Sequence, residues 1–425
     1  MRCRTNQCIT NLAQAYNKPS IFEHVAKETG EGRTGSRQSS KLNGRIALIF
    51  NRTWIMTSAI FASKVFDGQT ILENQLIRAE AGKILSITPM ATPLDVKAVD
   101  FLAAGFIDLQ VNGGNEAFFT QKPAITSVAD IDSSCAALGT AWTLPTFITS
   151  PFANILQGIT ALRDFQSRFP GSGVLGMHLE GPYINPEKRG GHPREYVQKP
   201  TNDELRELID QGRGIIKLMT IAPEVFTPDQ IAMLIEAGIT ISLGHSNASY
   251  SQAKAAFGMG IRLVTHLYNA MSLFVPKSPG VVGAVFDDPD VYAPIILDGL
   301  HCDFAAARIA WKLKKDKFFL ISDAMFTGRV MKKFQWHGID IILENGTYRN
   351  SEGNLNGAAI SLGDAVRNAV EKVGIPLHEA VEMVTIRPAR AIGLDHLAGK
   401  VAVGYPARFT VFDQDLQSFE VIRMD

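Results

Sequence analysis

Cysteine is scarce in this chain, net charge is absent, and no apolar run is long. Only four cysteines occur among 425 residues: Cys3, Cys8, Cys135 and Cys302. They make no CxxC pair and no even framework, which argues against a disulfide-stapled secreted domain. Reduced thiols in a cytoplasmic protein are the expectation, with Cys302 read as a small core residue. Acidic and basic side chains balance at 42 each. No global field therefore draws the chain to nucleic acid or to an anionic membrane. The apolar patch Ile46–Phe50 is too short to span a bilayer, and the N-terminal region carries no secretory apolar core. A phosphate loop is missing too, since neither GxxxxGK nor a suitable GxGxxG occurs.

What is present suits a globular protein with a large core, 46% hydrophobic and 20% charged. Residues 1–55 differ from the rest, mixing Asn, Gln, Lys, Arg, Gly and Ser, as in Gly30–Ser40. They read as a disordered extension ahead of an ordinary protein start at Met56. Their glutamates, Glu23, Glu28 and Glu31, argue against a transit peptide.

Residues 56–105 and 396–425 read as short strands and turns, and together predict one small β-sandwich domain built from both chain ends. Gln75–Ala79 and Lys83–Ile87 flank a three-residue hairpin connection, Glu80-Ala81-Gly82. Gly399–Asp413 reads as strand, turn, strand. Between these ends, residues 106–395 alternate apolar runs with amphipathic helical stretches. The runs are Gly173–Leu179, Ile215–Ile221, Thr240–Leu243, Leu263–Thr265, Ala293–Leu297 and Lys317–Ser322. Thr227–Ala237 and Tyr250–Phe257 are two of the helices, the second with Ser249 or Ser251 as N-cap. Apolar strands alternating with helices predict a parallel sheet buried on both faces. The number of units fits a distorted (β/α)8 TIM-like barrel, whose chemistry lies just past the C-terminal ends of its strands.

Four segments place a functional group at that position. They are Val174–Pro182 with Glu180, Ile241–Ala248 with His245, Val264–Ala270 with His266, and Phe318–Ala324 with Asp323. Glu180, His245 and His266 make a plausible metal site of two imidazoles and one carboxylate, with room for water and substrate. The histidines lie about one βα unit apart. Asp323 could be a ligand, a general base, or a helix cap. His178 shares a strand face with Glu180 and reads as supporting or structural. His192 sits in the basic loop Lys188–His192, where it could polarise a carbonyl. His301 follows the Ala293–Leu297 run, and Gly113-Gly114 allows close backbone approach.

On these residues the sequence resembles the amidohydrolase superfamily, and within it the N-acetylglucosamine-6-phosphate deacetylases. Gly105–Asp108, His178–Pro182, Gly244–Ala248, Thr265–Met271, Asp298–His301, Ser322–Ala324 and Arg387–Leu394 carry the likeness. The resemblance implies hydrolysis of N-acetylglucosamine 6-phosphate to glucosamine 6-phosphate and acetate. It also implies a homodimer and one divalent metal ion per subunit, zinc first, with iron, manganese or cobalt as alternatives. It makes Glu180, His245 and His266 ligands, Asp323 the general base and acid, and His192 the group that polarises the acetyl carbonyl. Gln110, Asn269, Ala270, His301 and Lys277 become substrate contacts. Two departures stand out. Gln110-Val111-Asn112 replaces the His-x-His that holds a second metal in many amidohydrolases, and amides ligate poorly. Lys277 stands where the family commonly places a phosphate-binding Arg, giving a point charge without the bidentate fork. The alternatives are an N-acetylgalactosamine-6-phosphate deacetylase, an amidohydrolase for another amide, and an inactive scaffold.

Overall fold

The computed structural model describes residues 58–424 apart from 92–94, 352 and 354. The expectations for residues 1–55 lie outside the described residues.

The segments from both ends form one six-stranded sheet. Its first four strands are β1 (Ala59–Phe66), β2 (Ile71–Glu80), β3 (Lys83–Pro89) and β4 (Lys97–Ala104). Strands β17 (Arg408–Phe412) and β18 (Phe419–Arg423) complete it, in the order β18-β17-β4-β1-β2-β3. The β1–β4 pair is parallel and the other pairs are antiparallel. Alternation along the strands gives the sheet two apolar faces. Ile60, Leu102, Phe409 and Ile422 form a separate core on one face. Phe66, Phe101 and Phe412 join the main core on the other, with Phe101 and Phe412 stacked at 5.2 Å.

Two turns differ from the sequence expectation. Glu80 pairs with Lys83, so the first hairpin has a two-residue connection. Ala81 and Gly82 both take positive φ, 51° and 74°, as the tight primed turn requires. At the C-terminus the strands lie later than Gly399–Asp413 suggested. Residues 399–407 run irregularly, and the hairpin is Arg408–Phe412 with Phe419–Arg423.

The middle of the chain supplies eight parallel strands: β5 (Phe106–Val111), β6 (Thr140–Ile148), β7 (Met177–Glu180), β8 (Ile216–Ile221), β9 (Thr240–Leu243), β10 (Leu263–Val264), β11 (Ala293–Ile296) and β12 (Phe318–Ile321). Six pair consecutively from β5 to β10, and β11 pairs with β12. The ring closes through single bridges, Leu263 with Tyr292 and Val111 with Ala324. The helices between strands start at capping boxes where Ser or Thr precedes the helix. Thr201, Thr227 and Ser249 each accept from the backbone three residues on. The fold is thus a distorted (β/α)8 barrel joined to a small β domain.

An antiparallel sheet absent from the sequence expectation follows β12. Its strands are β13 (Lys333–Trp336), β14 (Ile339–Glu344), β15 (Thr347–Asn350) and β16 (Leu355–Ala358). The turns His337-Gly338 and Asn345-Gly346 have positive φ at both residues. Asn-Gly is a strong hairpin signal, so this insert was legible. It matters to the site because Ala358 N donates to Asp323 O at 2.8 Å, which ties the insert to the loop after β12.

Candidate active site

The predicted groups meet at the C-terminal mouth of the barrel. Glu180 ends β7, His245 follows β9, His266 follows β10 and Asp323 follows β12. The last three leave their strands with left-handed φ of 48°, 31° and 46°. That conformation costs a non-glycine residue about 1–3 kcal/mol. It is held by the surrounding backbone: Gly244 N donates to Ile221 O, and Ser246 N to Ala270 O. Gly244 has no room for a side chain, because a Cβ there would lie 2.7 Å from Thr265 and 2.8 Å from Thr220.

Glu180 Oε1 lies 3.1 Å from His245 Nε2 and 3.1 Å from His266 Nε2, and the two Nε2 atoms are 3.2 Å apart. All three residues are buried. A tetrahedral ion with bonds of about 2.0–2.1 Å holds its ligand atoms roughly 3.3 Å apart. His245 Nδ1–H donates to Lys188 O at 2.8 Å, which leaves its Nε2 lone pair facing the cluster. The residues therefore fit a metal ion. Burial alone would disfavour the Glu180 carboxylate, but hydrogen bonds and charge from His245 and His266 hold it well below the usual carboxylate range. Burial opposes a charged His266, yet the adjoining Glu180 carboxylate raises it overall.

His192 arrives from the loop after β7. Its Nε2 is 3.9 Å from Glu180 Oε2, its ring centre is 4.4 Å from that of His245, and its Nδ1 is 2.7 Å from Thr149 Oγ1. The donor atoms of Glu180, His192 and His245 all lie within 4.8 Å of one another. His266 Nε2 is nearer to the Glu180 carboxylate, 3.1 against 3.9 Å, so that distance ranks it above His192 as a third ligand. Burial, then the neighbouring His245, pushes the His192 imidazolium down to about 3, so the ring is neutral at pH 7.

Asp323 Oδ1 accepts from Asn112 Nδ2 at 2.9 Å. Burial, then the Glu180 charge, pushes its carboxyl up to about 6. Gln110 Nε2 donates to Glu180 Oε1 at 3.0 Å, so its amide nitrogen is committed to that carboxylate. His301 Nδ1 is 2.6 Å from Asp298 Oδ2, which orients the ring. Asn269 and Ala270 are half-buried in the loop after β10.

Two groups lie apart. Lys277 is exposed on the loop 272–279 beside the exposed Leu273, Phe274 and Val275, outside the buried cluster. His178 sits below the mouth, its Nε2 2.7 Å from Thr220 Oγ1 in a buried chain that continues to Thr265 and Ser242. The sequence reading missed Thr149, which holds His192, and Glu224, which follows β8. Glu224 lies three residues past the end of β8, beyond Ala222 and Pro223, so the strand-end pattern does not single it out.

The Amidohydrolase family model matches residues 101–423. The chain belongs to the amidohydrolase family, a metal-dependent class of hydrolases. It is 35% identical over 371 residues to an N-acetylglucosamine-6-phosphate deacetylase of Haemophilus influenzae, covering 85% of this chain and 97% of that one. It is 36% identical over 317 residues to an N-acetylgalactosamine-6-phosphate deacetylase of Shewanella sp. (74% and 79%). A crystal structure of N-acetylglucosamine-6-phosphate deacetylase from Pasteurella multocida matches with a TM-score of 0.80 at 35% identity, covering 84% of this chain and 96% of that one.

Proposed function

We propose that this chain hydrolyses the N-acetyl group of N-acetylglucosamine 6-phosphate, giving acetate and glucosamine 6-phosphate. The convergence of Glu180, His245 and His266, with ligand atoms 3.1–3.2 Å apart, carries the reading. The relatives support the sugar phosphate. These three residues would hold one divalent ion, zinc first. Gln110 and Asn112 replace the imidazoles a second tight ion would need. Metal analysis of active protein showing two tight equivalents would overturn the single site.

When bound, the ion lowers the pKa of a coordinated water and polarises the acetyl carbonyl. Asp323 accepts a proton from the attacking water. For this role His192 Nδ1 accepts from the Thr149 hydroxyl, 2.7 Å away, and the ring carries its proton at Nε2. From there it donates to the carbonyl oxygen as negative charge develops. Asp323 returns the proton to the amine nitrogen as the C–N bond breaks. Asn269, Ala270 and His301, the latter oriented by Asp298, line the sugar side. Lys277 reaches the phosphate bound by a neighbouring subunit. That role requires a homodimer, and the exposed Leu273, Phe274 and Val275 beside Lys277 supply apolar surface to bury in one. Free, buried Cys135 and Cys302 suit a reducing cytoplasm. Among the described residues no helix is long and apolar enough to cross a membrane.

The comparable identity to an N-acetylgalactosamine-6-phosphate deacetylase makes the epimeric sugar the second reading. Acetate release from both epimers, with and without 6-phosphate, tests both. Faster turnover of the phosphorylated gluco sugar is expected. Metal-loaded protein that releases acetate from none of them would refute a deacetylase.

A further inference from the structure

Glu224 follows β8 in the short turn Pro223–Val225 and is half-buried at the barrel mouth. Its carboxylate gathers three neutral donors. Asn185 Nδ2 and Asn247 N donate to Oε1 at 2.9 and 2.7 Å, and Ser246 Oγ donates to Oε2 at 2.7 Å. Among the described residues no ion pair involves Glu224. Its three partners belong to the two loops that hold His245. Ser246 and Asn247 directly follow that histidine. Asn185 N donates to His245 O at 2.9 Å, and Lys188, three residues on, accepts from His245 Nδ1 at 2.8 Å.

Each contact acts on a residue that is hard to place. His245 has a left-handed φ of 48°, and the next residue, Ser246, bonds both Ala248 N and Glu224 through its hydroxyl. Its Nε2 lone pair is free for an ion only if Nδ1 keeps its proton on Lys188 O. Glu224 joins the loop that supplies this carbonyl to the segment that carries the ring. We propose that Glu224 is a positioning residue for the metal: it locks His245 in the rotation and tautomer that present Nε2 to the ion. This inference rests on the metal reading of Glu180, His245 and His266.

Partners of ligating histidines are commonly worth about 10–100-fold in metal affinity. Zn(II) affinity, measured by competition with a chromophoric chelator, should fall by about that factor in Glu224→Ala. Glu224→Gln should stay within about threefold of wild type. A glutamine oxygen still accepts from Asn185 and Asn247, and the Ser246 hydroxyl turns to accept from the new amide. Ser246→Ala removes one contact alone and should weaken Zn(II) by a few-fold, which guards against misfolding of the Ala variant. The thermal midpoint of each chelator-stripped protein is read alongside. A merely structural residue would lower that midpoint and leave Zn(II) affinity unchanged. Unchanged affinity in Glu224→Ala, or equal losses in the Gln and Ala variants, would overturn the proposal. Wild type and His245→Ala binding Zn(II) equally well would instead defeat the metal site beneath it.

Discussion

Replacing Asp323 by Asn should abolish most turnover and yet stabilise the metal-free protein. The two effects have one origin. Asp323 is buried at the barrel mouth near Glu180, and its carboxyl is pushed up to about 6 from 3.8. A carboxyl with a raised folded pKa holds its proton in the folded state where the unfolded chain has released it. The stabilising proton is fully present below about pH 4 and is lost as pH rises through about 6. At neutral pH the folded protein therefore carries an unfavourable charge. A shift of roughly two units corresponds to about 3 kcal/mol at 1.36 kcal/mol per unit. The neighbouring Glu180 shares that repulsion, so a gain of about 1–3 kcal/mol is expected in Asp323→Asn near pH 7. Near pH 4 the gain should vanish. The variant keeps an oxygen for the Asn112 amide, now 2.9 Å from Asp323 Oδ1, so the loop should hold its place. Losing the proton carrier should cut kcat by about 10²–10⁴-fold. The assay pairs denaturant melts of chelator-stripped proteins at both pH values with acetate release by the metal-loaded proteins. A stripped variant less stable than wild type near pH 7 would refute the electrostatic argument. A variant retaining most of its turnover would refute the proton-carrier role.

Thr149→Val is nearly isosteric but removes the hydroxyl 2.7 Å from His192 Nδ1. It should lower kcat by roughly tenfold with metal content unchanged. Unchanged kcat would detach His192 from the chemistry. Lys277→Ala should raise KM for a 6-phosphorylated sugar far more than for the unphosphorylated form, and equal effects would remove Lys277 from the phosphate. Phe147 is fully buried, meets Phe119 edge-on at 5.3 Å and covers Gly158. Phe147→Ala should cost about 3–5 kcal/mol in a denaturant melt. A loss below ~1 kcal/mol would mean that the core around helix Phe152–Arg168 repacks far more readily than a close-packed interior.

Much of the barrel was legible because its signals are local. An apolar run such as Phe318–Ile321 followed by Ser322 and Asp323 announces a strand and its functional end. A Ser or Thr before a helical stretch announces a cap, and of the two serines proposed, Ser249 is the one used. Where the reading slipped, the signal was weak or was ignored. Residues 399–407 are apolar and glycine-punctuated, yet they form no strand: they touch the edge strand β3 through a single bridge, Pro406 with Lys83. The insert after β12 was overlooked although Asn345-Gly346 marks its central turn. Glu224 was overlooked because Ala222 and Pro223 separate it from the end of β8.

The identity of the candidate groups, Glu180, His192, His245, His266 and Asp323, was readable along the chain. Their meeting was not. Gln110 contacts Glu180 across 70 residues, and Asn112 contacts Asp323 across 211. Hydrophobic periodicity records which face of an element is buried, but it holds no distance between elements. Those distances arise when eight strands close and side chains pack to crystal-like density. Closure brought two imidazoles and a carboxylate within 3.2 Å, sent His178 down into the barrel, and left Lys277 outside on an exposed loop.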